Sequence, residues 1–257
     1  MQFAPITLGR AVRVAVSHSF VFTETEHPPG TVLAPHAHEN SAISYIIDGD
    51  RSYRFGSNVL ECGAGALAFV PAGVLHSSHF SRCAAHGLMV ELSPDSPRFF
   101  PAPKRSFDAG LVRRCDAIRR ELWCPDDLSS LTLEALGFEL IATRSPFSRE
   151  PPRWLIRARD ALHDSFRRPP SLDAVAADAG VHRSRLTREF RRHFGTSIGQ
   201  YVRRVRVNHA WQIIAATDLP LCDVAAECGF ADQSHMTREF RRAFGGTPLR
   251  LRLHRSF

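Results

Sequence analysis

The sequence predicts an α+β chain of two domains, a β-rich N-terminal half and an all-α C-terminal half, on three observations. Across the first hundred residues, short apolar runs are broken by turn residues at close intervals, the pattern of a sandwich or barrel. Beyond residue 103 the apolar spacing changes to that of helices. Near the C-terminus one arginine-rich segment is written twice. S-R-L-T-R-E-F-R-R-H-F-G at Ser184–Gly195 and S-H-M-T-R-E-F-R-R-A-F-G at Ser234–Gly245 agree at nine of twelve positions, offset by 50 residues.

Length and composition fit this division. A chain of 257 residues can bury two cores, and 44% apolar with 23% charged residues is typical of globular protein. No apolar run approaches the roughly 20 residues that span a bilayer, and M-Q-F-A-P-I-T-L-G-R lacks the features of a signal peptide, so a cytoplasmic location without membrane contact is expected. The six cysteines (Cys62, Cys83, Cys115, Cys124, Cys222, Cys228) show no C-x-x-C spacing, which points to reduced, mostly buried thiols. Charge is uneven. Residues 151–257 hold 19 Arg and no Lys against 10 acidic residues, a net of +9, whereas residues 1–150 hold 14 basic and 16 acidic residues, a net of −2. That asymmetry points to a polyanionic partner for the second half alone.

Taken in order, the run S-A-I-S-Y-I-I-D-G-D-R-S-Y-R-F predicts two strands joined by a hairpin turn at Asp48-Gly49-Asp50. Gly63, Gly65, Pro71 and Gly73 punctuate further strands at Ala66–Val70 and Leu88–Leu92, and a proline-rich stretch, S-P-D-S-P-R-F-F-P-A-P, closes the region. Phe107–Trp123 and Leu128–Thr143 carry helical stripes (Leu111, Cys115, Ile118, Leu122; Leu133, Leu136, Leu140). The break R-S-P-F-S-R-E-P-P marks a domain boundary near 145–152. Short helices follow at Trp154–Phe166, Leu172–Ala179, Arg183–Phe194, Ile198–Ala216, Leu221–Cys228 and Gln233–Phe244, with Ser171, Ser197 and Asp218 placed as N-caps. The domains so delimited are 1–103, a helical linker or dimerisation region 104–150, and 151–257.

The repeat extends upstream. V-A-A-D-A-G at Val175–Gly180 recurs as V-A-A-E-C-G at Val224–Gly229, offset by 49, so each copy is a short helix, a glycine turn and an arginine-rich helix. That is the helix-turn-helix pattern of DNA-binding proteins. Leu186, Phe190 and Phe194 in the first copy, and Met236, Phe240 and Phe244 in the second, would face the core. Arg183, Ser184, Thr187 and Arg188, with Gln233, Ser234, Thr237 and Arg238, would then face the major groove as base readers. Arg191, Arg192, Arg241 and Arg242, at the helix ends, suit phosphates. The helix between the copies, about 18 residues and roughly 27 Å, could hold the two reading helices about one DNA turn, ~34 Å, apart. Since Arg183, Ser184 and Arg185 are replaced by Gln233, Ser234 and His235, an asymmetric site is expected.

Residues from about 153 to 252 resemble the DNA-binding domain of AraC/XylS-family transcriptional regulators. The resemblance rests on G-x-x-x-S-x-L-T-R-x-F-R-R-x-F-G, on Arg206 and Ala210, on V-A-x-E-C-G-F-x-D-Q-S-H-M-T-R-E-F-R-R-x-F-G, and on Gly246-Thr247-Pro248. His182 departs from the family's usual Ser cap, a change worth about 1 kcal/mol, and Leu251 stands where an aromatic is common. G-T-V-L-A-P-H-A-H from Gly30, with Gly49, resembles the first cupin motif, and G-A-L-A-F-V-P-A-G-V-L-H, Gly65–His76, resembles the second. The resemblances imply a cupin-like barrel with linker helices, followed by an all-α domain with two helix-turn-helix motifs.

His36 and His38, two apart on a strand, project to one face, and His76 on a later strand could join them as in a zinc or iron site. The cupin glutamate position falls at Ala42 or Ile43, neither a ligand; Glu39 or His79 are the substitutes. A pocket in which these histidines bond an effector, or a relic of the fold, is the alternative to a divalent metal. The linker helices could pack on the barrel or pair two chains into a homodimer. The expected function is a sequence-specific transcriptional regulator and not an enzyme. Its cupin-like domain would sense a small effector and modulate binding to double-stranded promoter DNA, with RNA polymerase as a further partner. A metal-dependent cupin enzyme and an effector-independent DNA-binding protein are the alternatives; no G-x-S-x-G, P-loop or H-E-x-x-H is present.

Overall fold

Ten strands and nine helices are formed by the described residues of a computed structural model, namely 9–81, 84–93, 100, 102–142 and 151–254. Cys83, the first eight residues, most of the proline-rich stretch after Ser93 and the break at 143–150 lie outside them. The chain divides into two compact units, Met1–Pro146 and Phe147–Phe257. None of the helices is long and apolar enough to cross a membrane.

In the first unit the strands are β1 (Arg10–Val16), β2 (Phe20–His27), β3 (Val32–His36), β4 (Ala42–Asp48), β5 (Asp50–Phe55), β6 (Asn58–Gly63), β7 (Leu67–Val70), β8 (His76–Phe80), β9 (Ala85–Leu92) and β10 (Lys104–Ser106). They form two antiparallel sheets, ordered β1-β2-β9-β4-β7-β10 and β3-β8-β5-β6. No pairing joins the two sheets among the described residues, so this half is a strand-rich, two-sheet unit. The predicted hairpin at Gly49 is not one. β4 pairs with β7 and β9, whereas β5 pairs with β6 and β8 in the other sheet. Gly49 instead carries the chain between sheets at φ +75°, and a Cβ there would lie 2.6 Å from the Ala84 carbonyl oxygen.

The period-2 alternation of β2 explains the layering. Its odd residues face the second sheet, where the His27 ring stacks on Phe80 at 4.0 Å. Its even residues face α1 (Ala109–Trp123) and α2 (Ser129–Ala142). Phe20 meets Phe138 edge-on at 5.2 Å, and a Cβ on Gly137 would come within 2.5 Å of the Phe20 ring. Glu24, fully buried, accepts hydrogen bonds from Arg119 Nε and Nη2, both at 3.2 Å, and from Trp123 Nε1, with His86 Nε2 at 2.8 Å. Burial raises the carboxyl's pKa, but Arg119 and then His86 more than offset that and hold it at about 2. The stripe Leu111, Cys115, Ile118, Leu122, Leu133 and Leu140 is thus buried within this unit, while Leu131 and Phe138 stay exposed.

The second unit is all helix: α3 (Arg153–Asp164), α4 (Leu172–Asp178), α5 (Arg183–Phe194), α6 (Ile198–Ala216), α7 (Leu221–Glu227), α8 (Gln233–Phe244) and α9 (Pro248–His254). Ser171 caps α4 through Ala174 N, and Ser197 with Gln200 forms a capping box on α6. Asp218 does not cap α7. Pro220 occupies that position, where its fixed φ suits a helix start, and the helix begins two residues beyond Leu219.

Candidate nucleic-acid interface and histidine cluster

Two short-helix, turn, long-helix pairs carry the repeated arginines. In the first, α4 turns at Gly180 into α5; in the second, α7 turns at Gly229 into α8. Gly229 is doubly constrained, with φ +75° and the Arg167 carbonyl oxygen 2.5 Å from where a Cβ would sit. His182 does cap α5: its Nδ1 accepts from Ser184 N at 3.3 Å, so the imidazole replaces the usual hydroxyl. Asp232 caps α8 through His235 N at 2.6 Å.

Each arginine-rich helix is held by aromatics on α6. Leu186, Phe190 and Phe194 are buried, and Phe190 packs edge-on against Tyr201 at 5.5 Å. Met236, Phe240 and Phe244 are buried likewise, with Trp211 stacked on Phe240 at 5.9 Å and against Phe244 at 4.5 Å. Tyr201 and Trp211 are ten residues apart, so the two anchors lie about 15 Å from one another along α6.

This anchoring turns the other faces outward. Arg183, Ser184, Thr187 and Arg188 are exposed on α5; Gln233, Ser234 and Arg238 are exposed on α8, and Thr237 is half-buried. Thr187 Oγ1 lies 3.2 and 3.1 Å from the carbonyls of Arg183 and Ser184, so its hydroxyl donates to its own helix and offers an outside partner only an acceptor. Arg183 lies 3.5 Å from Asp173, and Arg188 the same distance from Glu189. Arg191, Arg192, Arg241 and Arg242 are exposed in the last turns. Sequence reasoning overlooked the acid set among them in each copy: Glu189 pairs with Arg192 at 3.6 Å, and Glu239 with Arg242 at 2.6 Å. With both arginines more than 60% exposed, pairs of this kind contribute about 0–1 kcal/mol, little enough for a phosphate to replace.

In the first unit, β3 and β8 run antiparallel with His36 opposite His76, and His38 follows just beyond the end of β3. Their ring centroids lie 4.5–5.0 Å apart, and one nitrogen from each can be chosen with all three within 4.8 Å. Neither proposed substitute joins them, since Glu39 and His79 are both exposed and outside the group. His36 Nδ1 lies 2.7 Å from the Ala34 carbonyl and His76 Nδ1 3.0 Å from that of Val74. A carbonyl only accepts, so both Nδ1 atoms carry the proton and both Nε2 lone pairs are free; both Nε2 atoms are buried without a hydrogen-bond partner. Burial, then the neighbouring His76 and His36, push the His38 pKa down to about 4, and burial lowers His76 also. His38 and His76 are therefore neutral near pH 7, the form that ligates a metal. Tetrahedral zinc would need nitrogens about 3.4 Å apart, a closure of at most ~1.5 Å from what is seen. The histidine set fits a divalent ion with a position left open.

The same interior holds residues that the motifs did not single out. Arg51, Tyr53 and Phe55 alternate inward along β5, opposite Ser78 and Phe80 of β8, and Phe55 lies 5.4 Å from the His76 ring. An arginine on the buried face of an alternating strand was the signal available in the sequence.

Residues 21–103 match the family described as AraC-like ligand binding domain, and residues 175–254 match that described as helix-turn-helix domain. The HTH-type transcriptional activator RhaR of Salmonella schwarzengrund (strain CVM19633) is 29% identical over 135 residues, 52% of this chain and 42% of that protein. RhaR of Escherichia coli (strain K12) is 35% identical over 91 residues, 35% of this chain and 32% of that protein. The chain thus covers less than half the length of these curated relatives. Among solved structures, a transcriptional regulator of Chromobacterium violaceum, from the AraC-type DNA-binding domain-containing proteins, aligns at 29% identity with a TM-score of 0.38, over 40% of this chain and 92% of that one.

Proposed function

From a chain that joins an AraC-like ligand-binding domain to an AraC-type helix-turn-helix domain, we propose a cytoplasmic transcriptional regulator, not an enzyme, that binds promoter DNA through two helix-turn-helix motifs. The observation that carries this reading is the pair α5 and α8: two arginine-rich helices, each anchored on α6 by its own aromatic set, each presenting polar side chains outward. Arg183, Ser184, Thr187 and Arg188 would read bases in one major groove, and Gln233, Ser234, Thr237 and Arg238 in the next. Arg191, Arg192, Arg241 and Arg242 would bind phosphates, Arg192 and Arg242 exchanging Glu189 and Glu239 for them, supplying affinity without sequence information. The two reading helices, anchored ~15 Å apart along α6, would enter successive major grooves about one DNA turn, ~34 Å, apart.

The two-sheet unit would be a cupin-like effector domain spanning 1–103, with 104–150 as its helical extension. Exposed Leu131 and Phe138 on α2 support a homodimer through that extension, and RNA polymerase is the expected partner at the promoter. His36, His38 and His76 would hold zinc or iron, two of them through Nε2. The ion would add a Lewis-acidic centre to the pocket in which an effector is recognised. Effector binding would then modulate DNA affinity, a coupling that needs differential contacts in the two states.

The test is elemental analysis of the purified full chain together with DNA footprinting, before and after chelation. Stoichiometric zinc or iron that vanishes in a His36→Ala/His38→Ala variant supports the metal centre; metal-free protein with full DNA binding rejects it. A footprint covering two adjacent, unequal sub-sites supports two reading helices, and a single short footprint rejects them.

A further inference from the structure

The interior between the two sheets buries a positive charge that, among the described residues, no carboxylate pairs with. Arg51 is 4% exposed, and its guanidinium carbon lies over the rings of Tyr53, 4.1 Å from the centroid, and Phe80, 4.9 Å from it. Its one hydrogen bond is from Nη2 to the Ser78 hydroxyl at 2.9 Å, while Nε is buried without an acceptor. No carboxylate of the described residues is among its partners. Glu24 is spent on Arg119 and Trp123 on the far side of β2, and Glu91, which shares the inward face of His27, is not paired with Arg51. A buried guanidinium without a counter-charge is costly, and its forked donors suit a planar two-oxygen anion.

The groups around it are unsatisfied in the same direction. The Tyr53 hydroxyl faces Ser44 and Arg51 without hydrogen-bond geometry to either. Thr23 Oγ1 and His27 Nδ1, on the inward face of β2, are buried and unpartnered. Burial, and then Arg51, lower the His27 pKa to about 4, so His27 stays neutral and does not compete for an anion. The three-histidine cluster adjoins the same residues through Phe55 and Tyr53, whose rings lie 5.4 and 6.1 Å from that of His76.

We propose that Arg51 is the charge-selecting anchor of this interior and that the effector is a small carboxylate. One carboxylate would lie against Nε and Nη of Arg51, with the Tyr53 hydroxyl as a further donor. The remainder would extend past Phe55 toward His36, His38 and His76. Cation–π contact with Tyr53 and Phe80 holds the guanidinium in place before the ligand arrives. This rests on the interior being the effector site, and it does not require the histidines to hold a metal.

The test uses matched pairs on the full chain: benzoate against benzamide, salicylate against salicylamide, malonate against malonamide, with inorganic phosphate as a separate arm. Binding is measured by calorimetry and thermal shift, with metal as purified and after chelation. At least one acid is expected to bind ten-fold or more tightly than its amide, to weaken ten-fold or more in Arg51→Met, and to recover partly in Arg51→Lys. Acids and amides binding alike, acid binding undiminished in a folded Arg51→Met, or no acid binding in either metal state would overturn the proposal. Preference for phosphate over every acid would also overturn it, by assigning Arg51 to a different anion. The wild-type comparison of acid with amide stands even if Arg51→Met does not fold. Acid selectivity that survives chelation supports Arg51 where the metal reading fails; bound metal without acid selectivity does the reverse.

Discussion

Replacing Glu24 by Gln should destabilise the first unit by about 3 kcal/mol at pH 7. The carboxyl is held at about 2 against an ordinary value of 4.5. That difference, at 1.36 kcal/mol per pH unit, gives about 3 kcal/mol. The figure agrees with the 3–5 kcal/mol typical of leaving a buried charge without its partner, here Arg119 at 1% exposure. The perturbation is local, because Glu24 joins β2 to α1 through Arg119 and Trp123 on the face of β2 turned away from the second sheet. Scanning calorimetry should show the first unit's transition lowered by roughly 6–12 °C, with the Phe147–Phe257 unit as an internal reference. The sign of the pH dependence follows from a depressed folded-state pKa. The stabilisation is complete above about 4.5 and disappears as pH falls from there toward 2, so wild type and variant should converge across that window. An Arg119→Met/Glu24→Gln double variant should cost less than the sum of the two single changes. A first-unit melting temperature within ~2 °C of wild type at pH 7, or an advantage unchanged down to pH 2.5, would refute the assignment of a charged, buried Glu24.

Three further outcomes are expected. Arg238→Ala should lose about 1–3 kcal/mol at the cognate DNA site and relax base preference there; an unchanged footprint and affinity in a gel-shift titration would reject α8 as a reading helix. Arg242→Ala should weaken binding to all sequences alike and lower the salt slope by roughly one unit; altered sequence preference would contradict a phosphate role. Gly229→Ala forces a side chain into the left-handed region and against the Arg167 backbone, 2.5 Å away. It should destabilise the C-terminal unit by more than ~1 kcal/mol and reduce DNA binding with it, whereas Gly180→Ala, which meets no atom within 4 Å, should cost less by urea denaturation.

What could be read from the chain alone is what local chemistry decides. The helices Arg183–Phe194, Ile198–Ala216 and Gln233–Phe244 have the expected ends because their stripes and caps are local signals. Leu186 and Phe190, like Met236 and Phe240, are buried because a period of 3.6 puts them on one face whatever lies opposite. The internal repeat made the two helix pairs legible for the same reason, and the H-x-H spacing with a later histidine identified a cluster that does converge. Tertiary structure decided everything that depends on which distant segment is the neighbour. Gly49 reads as a hairpin, yet strand pairing beyond the turn sends β4 and β5 into different sheets. Asp218 looks like a cap, but the helix starts after Pro220. Glu189 and Glu239 look like solvent-facing acids, and only the fold shows which arginines they hold. Above all, the sequence marks Arg51 as one arginine among many. That it lies over two rings, near three histidines and, among the described residues, without a carboxylate partner follows from residues that strand pairing brings together from β3, β5 and β8. Side-chain neighbourhoods are set by long-range packing, whereas helix periodicity and capping are set within a few residues.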